Sequence, residues 1–447
     1  MIRSLNLRSL KNSDFFQVFN FRDEYARGRS CIILSTLVST IYSSLINGIF
    51  YTGFLLENGI DMVDIGYVSS IPLLCSLFGI FTPVLINRFK RRKFLLCFSR
   101  LLYLTINILG ITLVPVLPLS LEAKKAYIVV VVFLSNMINQ LFATGFTAWH
   151  SNFLTEDIRP KYFSYQQIIS GLTSFVALLV SGILTDAVSA SGGSKLPIMM
   201  ALRFSALVFA ILDVFILSRP REFEYKTSSD KVSVFSIFTD PFRYRDFIRC
   251  MCIVFLWTFT YQLSLSAYQV YALNDLKVSY TVISTVDAMY GWFIFFIVPF
   301  WRRYTLKHNW YRTLRVTTVP NCMTYLIGLF IVPANGFWLY PVYRLIQHGT
   351  GVGFNYAFAN IAYVHLPDTD RTSCLSFHLL TSQVAGFLGQ IVGTTLISAF
   401  QDVNITLPGL SLNNVKLVLF IQCCMNLVLI LYVCRFTKRF ANSGRAA

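Results

Sequence analysis

Charge is what this sequence has least of. Asp, Glu, Lys and Arg make up 13% of its 447 residues, about half the share usual in soluble domains. The chain is also 55% hydrophobic, with a mean hydropathy of +0.59. So much apolar surface does not fit inside one soluble core, and it belongs in a lipid bilayer. Histidine is sparse too: the five, at 150, 308, 348, 365 and 378, are scattered without metal-ligand spacing. No metal, and no acid, nucleophile and ligand set for a membrane-embedded enzyme, is evident. No glycine-rich loop follows a strand, so direct drive by a nucleotide has no motif. The stretch His348-Gly-Thr-Gly-Val-Gly353 lies inside an apolar run instead. No cofactor is expected. The ten cysteines sit mostly within apolar runs and form no disulfide framework. The first 30 residues mix Arg3, Arg8, Lys11, Arg22, Arg27 and Arg29 with phenylalanines. They lack the clean apolar core of a signal peptide.

What remains is a series of long apolar runs. Twelve are expected to cross about 30 Å of hydrocarbon as helices. The first six are Cys31–Leu56, Ile65–Ile86, Phe94–Leu117, Ala126–Ala148, Phe163–Thr185 and Ile198–Leu217. The second six are Met251–Leu273, Tyr280–Phe300, Val316–Val332, Phe337–Val364, Cys374–Phe400 and Val415–Val433. Ser218–Asp246, polar and carrying Pro220 and Pro241, divides them six and six. The expected organisation is an arm over 1–30, a bundle over 31–217, a linker over 218–246, a bundle over 247–434 and a tail over 435–447.

The net charge of +17 does not point to nucleic acid, because the cations lie between apolar runs. Pro83–Lys93 alone carries Arg88, Lys90, Arg91, Arg92 and Lys93. The arm, the linker, the tail and alternate loops are basic, whereas the opposite loops hold only Lys124, Lys125, Lys195, Lys277 and Lys416. Both termini are therefore expected on the cytoplasmic side of a cell membrane. The expected partners are the bilayer and a small solute, with the chain acting as a monomer.

The two halves repeat. A shift of 212 residues lays Phe142 on Phe354, Glu156 on Asp368, Arg159 on Arg371, Ser164 on Ser376 and Ser170 on Ser382. The sharp part is a short turn in which an acid precedes an Arg by three residues. Two parallel six-helix halves are a transporter architecture. The loop after the second span reads Pro83, three residues, Asn87, Arg88, Phe89, Lys90, Arg91, Arg92. With these features, the whole chain resembles a divergent, bacterial-type member of the major facilitator superfamily of secondary transporters. That family's signature in this loop is Gly, three residues, Asp, Arg, any, Gly, Arg/Lys, Arg/Lys. The basic positions match, while the glycines and the acid are replaced. The resemblance implies a gating role for this loop, in which Asn87 cannot form the ion pair of the usual acid. It also implies a cavity lined mainly by spans 1, 4, 7 and 10.

Polar side chains inside spans are costly and face protein or water. Span 1 offers Tyr42, Ser43, Ser44 and Asn47. Span 4 offers Asn136, Asn139 and Gln140, and span 7 offers Tyr261, Gln262, Tyr268 and Gln269. Span 10 offers Arg344, Gln347, His348 and Asn355. Each is either a solute contact or a tie between helices. Asp287 and Arg344 each lie seven residues inside a span, roughly 10 Å deep at about 1.5 Å per residue, and are expected to pair. Asp287 is the first candidate to exchange a coupling proton, and His378 a weaker one. Arg100, Arg203 and Asp213, nearer span ends, suggest snorkelling or bundle contacts. Gly351 and Gly353 suggest a bent stretch of span 10 acting as a hinge. Gly389 and Gly393 have the spacing for close helix packing. Asn87, Arg88, Arg91, Arg92, Glu156, Arg159, Asp368 and Arg371 are the gating candidates; for the turn after span 4, with Trp149 and His150, a loop anchor is the alternative.

The sequence thus points to secondary active transport of a small solute by alternating access, as a symporter or antiporter, with proton coupling as a further expectation. A non-transporting receptor or scaffold on the same fold is the alternative; a membrane-embedded enzyme fits less well.

Overall fold

Lipid leaves the backbone no partner but itself, and the apolar runs fold as helices. The computed structural model describes residues 18–19, 23–86, 89, 91–155, 158–222, 234–367, 370–403, 405–407 and 410–441. Span 1 is Glu24–Ile46 followed by Gly48–Glu57. Span 2 is Met62–Cys75, a 3-10 stretch Ser76–Phe81, and Thr82–Ile86. Spans 3 to 6 are Lys93–Thr112, Leu121–Ser151, Arg159–Ala190 and Lys195–Leu217. A short helix, Val234–Thr239, precedes span 7, which is Arg245–Gln262 and Leu265–Asn274. Span 8 is Tyr280–Ala288 and Tyr290–His308. Spans 9 to 12 are Trp310–Leu329, Gly336–Val364, Arg371–Ala399 and Asn414–Ala441. Below, the near face is the one from which span 1 starts and at which span 12 ends; the far face is opposite.

Ten of these spans are long and apolar enough to cross a bilayer by length and composition alone. Spans 9 and 10 fall short of that measure. Arg312, Arg315 and several threonines dilute span 9, and Arg344, Gln347 and His348 interrupt span 10. The threonines are buried and spend their hydroxyls on their own helix, as in Thr318 to Leu314 O at 2.6 Å and Thr324 to Pro320 O at 2.8 Å. Among the described residues one element is not helical. The loop between spans 11 and 12 forms a small antiparallel hairpin, Ile405–Leu407 with Leu410–Leu412, which the apolar pattern does not announce.

Several spans are interrupted rather than continuous. In span 2 the 3-10 stretch ends at Phe81, and Pro83 in the following helix has no N–H to close on residue 79. In span 1, Asn47 is extended (φ −115°, ψ 179°) and Gly48 has φ +58°. That left-handed conformation suits glycine. The break exposes the carbonyl of Ile46, and Arg203 reaches it through Nη1 at 3.4 Å. Arg203 is buried (1% exposed), bonds Thr112 Oγ1 at 3.0 Å and lies over the Phe54 ring. It does not snorkel; it fills the break.

Span 7 breaks at Leu263–Ser264, and span 11 packs on the break through glycines, as their spacing suggests. A Cβ on Gly393 would lie 1.9 Å from Leu263 O, and one on Gly389 would lie 2.3 Å from Phe259 O. These neighbours are backbone and cannot rotate away. Gly393→Ala is expected to destabilise the protein by about 1–3 kcal/mol through overpacking. Gly171→Ala is the control, since a Cβ there meets nothing within 4 Å. Thermal unfolding of the two variants in detergent checks this; equal melting would refute the close contact.

The halves meet at the far face. Asp186, at the end of span 5, accepts from Tyr280 N at 3.0 Å and Thr281 N at 2.7 Å, at the start of span 8. The Tyr280 ring stacks on Phe50 and lies under Lys195. Thr52 bonds Gln269 at 3.2 Å, and Tyr67 bonds Thr395 at 3.4 Å. These four hydrogen bonds between the halves all lie in the far part of the molecule. At the near face, Glu222 accepts from the backbone N–H of Arg92 and, at 2.8 Å, of Lys93. It thereby caps span 3 with a negative charge.

Candidate functional site

The far-face seal roofs a space between the halves. There Asp287 of span 8 and Arg344 of span 10 pair, as their equal depths suggest. Arg344 Nη2 and Nε lie 2.5 and 3.2 Å from Asp287 Oδ1. Arg344 Nη1 also bonds Gln347 Oε1, one turn along its helix. His348 Nε2 stands 3.7 Å from the same Asp287 oxygen and has no hydrogen-bond partner. The side chains are 32% exposed for Asp287 and 21% for Arg344, so the pair is reachable from the cavities.

The pair joins two cavities. One, of about 460 Å³, lies against spans 1 and 5 of the N-terminal half. Its wall carries the hydroxyls of Ser39, Thr40, Ser43, Ser44, Ser170 and Ser174, with Asn47, Ser284 and Asp287, beside Ile49 and Leu178. The other, of about 320 Å³, lies within the C-terminal half. Its wall combines the rings of Trp257, Tyr261, Tyr290, Tyr325 and His348 with Asn321, Arg344, Gln347, Gly351 and Asn355. Asn355 Nδ2 donates to Tyr290 OH at 2.9 Å. Both volumes suit small-molecule sites.

The expected residues divide between these cavities and other duties. Asn47 and Asp287 line the first cavity; Tyr261, Arg344, Gln347, His348 and Asn355 line the second. Tyr42 lines neither. It is buried at 3% exposure and bonds Asp213 at 3.3 Å and Arg100 at 3.0 Å. Tyr268 is buried among Tyr271, Tyr340 and Tyr343. Gln262 sits at the span 7 break and lines neither cavity. The span 4 amides also line neither. Asn136 donates to Val132 O of its own helix at 2.8 Å, the backbone carbonyl of Gln140 accepts from Thr82 at 3.3 Å, and Asn139 lines neither cavity. Span 4 packs on spans 2 and 3 of its own half, and span 5 supplies the wall instead. His378 on span 11 is outside both cavities.

The gating candidates also separate. Asn87, Arg88, Glu156 and Asp368 lie outside the described residues. Arg91, Arg159 and Arg371 are exposed, the last two as first residues of spans 5 and 11. Arg92 is buried and donates to Phe89 O at 3.1 Å. Trp149 anchors its loop, packed on Phe146 and Phe153. Span 10 is one continuous helix through Gly351 and Gly353. A Cβ on Gly353 would lie 2.3 Å from the Trp301 ring, and Gly351 forms cavity wall, so close packing and space account for both glycines.

The sequence reading missed Asn321 and Tyr325 because span 9 was not among the four expected to line the cavity. It missed most of the hydroxyl wall as well. The signal was present: Ser35, Thr36, Ser39, Thr40, Ser43 and Ser44 recur at helical spacing along span 1.

The family profile of the Major Facilitator Superfamily matches residues 32–273 and 250–446. The chain belongs to this superfamily. It is a membrane transporter fold and not an enzyme. Solved structures of membrane transporters agree with this chain in fold at low identity. A bacterial homologue of the iron transporter ferroportin, in an inward-facing state, aligns with TM-score 0.68 and 12% identity over 92% of this chain and 98% of that one. The nucleoside transporter NupG aligns with TM-score 0.64 and 14% identity over 93% and 99%. A bacterial homologue of the lysosomal transporter Spinster aligns with TM-score 0.63 and 12% identity over 94% and 98%. No curated protein matches the facilitator's sequence significantly.

Proposed function

We propose that the protein moves a small polar solute across the membrane by alternating access, with the solute held where the two cavities meet. The observation that carries this reading is the partly exposed Asp287–Arg344 pair, set between the halves beneath a sealed far face. With the termini in the cytoplasm, the sealed far face supports reading this as a state open to the cytoplasm. An ion pair at this depth is costly to form for structure alone and marks a transport pathway. Asp287 has one oxygen engaged by Arg344 and approached by His348. A proton or a solute hydroxyl arriving there competes directly with Arg344. That competition is a route for coupling solute movement to protons.

Purified protein in liposomes, offered a solute library with and without a pH gradient, tests the reading. Flux of at least one solute is expected. Absence of flux under any gradient, with ligand binding retained, would favour a receptor. Asp287→Asn is expected to abolish accumulation driven by the gradient while exchange of solute across the membrane continues. Accumulation at the unaltered level would remove Asp287 from the coupling step.

A further inference from the structure

We infer that the paired cavities select a nucleoside-type solute: a planar, nitrogen-containing ring carrying a hydroxylated group. The inference rests on the reading of these cavities as the transport site and specifies what occupies them.

The two walls differ in chemistry. The C-terminal cavity is faced by Trp257, Tyr261, Tyr290 and Tyr325. Aromatic faces hold flat rings by stacking. Within this wall lies a buried polar atom without a partner, Asn321 Nδ2, in a residue 2% exposed. His348 Nε2, in a residue 8% exposed, stands 3.7 Å from Asp287 Oδ1 and faces the same carboxylate as Arg344. A buried polar group left unpaired is a standing cost that a matching ligand removes. An amide N–H donates only, so Asn321 calls for an acceptor such as a ring nitrogen or a ring carbonyl. The His348 nitrogen donates or accepts according to its tautomer. A purely hydrocarbon ring would leave Asn321 unpaired.

Among the described residues, no aromatic ring lines the N-terminal cavity. Ser39 and Thr40 donate to Thr36 O and Ser284 donates to Tyr280 O, so these hydroxyls offer acceptor lone pairs to the hydroxyl groups of a sugar. The Asp287 carboxylate at the boundary accepts further hydroxyls. Among the described residues, Asp287 and Arg344 are the only ones with a fixed charge in the two walls, and they neutralise one another. A phosphate would find no unpaired cation, so the class is nucleoside rather than nucleotide.

Equilibrium binding of radiolabelled uridine and adenosine to the purified full chain tests this. The competitors are ribose, free base, uridine monophosphate and sucrose. Nucleosides are expected to compete at least about tenfold better than base or ribose alone, because each fragment fills one wall. The monophosphate is expected to compete poorly. Asn321→Ala and, independently, Ser170→Ala are each expected to weaken nucleoside binding about tenfold, with the melting temperature reported for both. Equal competition by ribose, sucrose or base alone overturns the inference, as does failure of folded protein to bind any nucleoside. Liposome counterflow with the same panel plus hexoses and dipeptides separates the two readings. Counterflow of a hexose or dipeptide alone overturns the nucleoside class and leaves transport standing. Nucleoside binding without counterflow of any solute supports the class and removes transport.

Discussion

Asp213→Ala is expected to lower stability by about 3 kcal/mol, because it leaves a largely buried guanidinium without its counter-charge. Asp213 is fully buried in span 6. It accepts from Arg100 Nε at 2.7 Å, Ser35 Oγ at 2.5 Å and Tyr42 OH at 3.3 Å. Spans 1, 3 and 6 thus converge on one carboxylate. Arg100 also lies over the Phe146 ring of span 4, 5.2 Å from its centroid. Removing the acid strands all three donors at once, and a bilayer supplies no water to replace it. The double variant Arg100→Met with Asp213→Leu removes both charges and is expected to recover most of the loss. Thermal unfolding in detergent reads both effects. A melting temperature unchanged by Asp213→Ala would mean that the cluster contributes nothing to the fold.

Asp186→Ala is expected to loosen the far face. The carboxylate holds two backbone N–H groups at the start of span 8, across the boundary between the halves. Hydrogen bonds of this kind to a charged group at a helix N-terminus are worth about 2 kcal/mol together, so their loss shifts the open-to-closed ratio roughly 30-fold. The glycines nearby set how tightly the seal fits: a Cβ on Gly182 would meet Thr281 and Ser284, and one on Gly53 would meet Tyr280. A cysteine at Ser44 reports the change through labelling by an impermeant maleimide from the far face. Cys252, Cys424 and Cys434, the three native cysteines that are not buried, are first replaced. Labelling is expected to rise in Asp186→Ala and to rise less in Asp186→Asn, which keeps an accepting oxygen. Equal labelling of parent and variants would remove Asp186 from the seal.

The spans were legible because bilayer thickness sets a minimum length that composition alone reveals. The Asp287–Arg344 pair was legible because two charges at equal depth in neighbouring spans have little else to do. The Tyr42–Asp213–Arg100 cluster was not, because 171 residues separate Tyr42 from Asp213 and each residue alone resembles a helix-end polar group. Asn321 was hidden for a related reason. Which face of span 9 meets the cavity depends on how its neighbours pack, and its own sequence carries no mark of it. The breaks in spans 1 and 7 were equally silent. Asn47-Gly48 reads as ordinary span interior, and only the carbonyl bound by Arg203 and the glycines of span 11 reveal why the interruptions are tolerated.

Those breaks give the far side its mechanics. Gly48–Glu57, Leu265–Asn274 and Tyr280–Ala288 are short arms of 10, 10 and 9 residues. Each touches an arm of the opposite half, while the longer inner pieces of spans 1 and 7 pack mainly on their own half. An arm of this length is about 15 Å long. A swing of about 10° moves its tip by roughly 2.5 Å, enough to part a hydrogen bond. Pivoting the arms at Asn47–Gly48, Leu263–Ser264 and Met289 therefore parts the Asp186 and Thr52–Gln269 contacts, whereas Tyr67–Thr395, held by Met62–Cys75 and the unbroken span 11, parts only with a larger rotation of the halves. Motion of that kind displaces little mass and leaves the interior of each bundle undisturbed, so the latch and the body can run on different clocks.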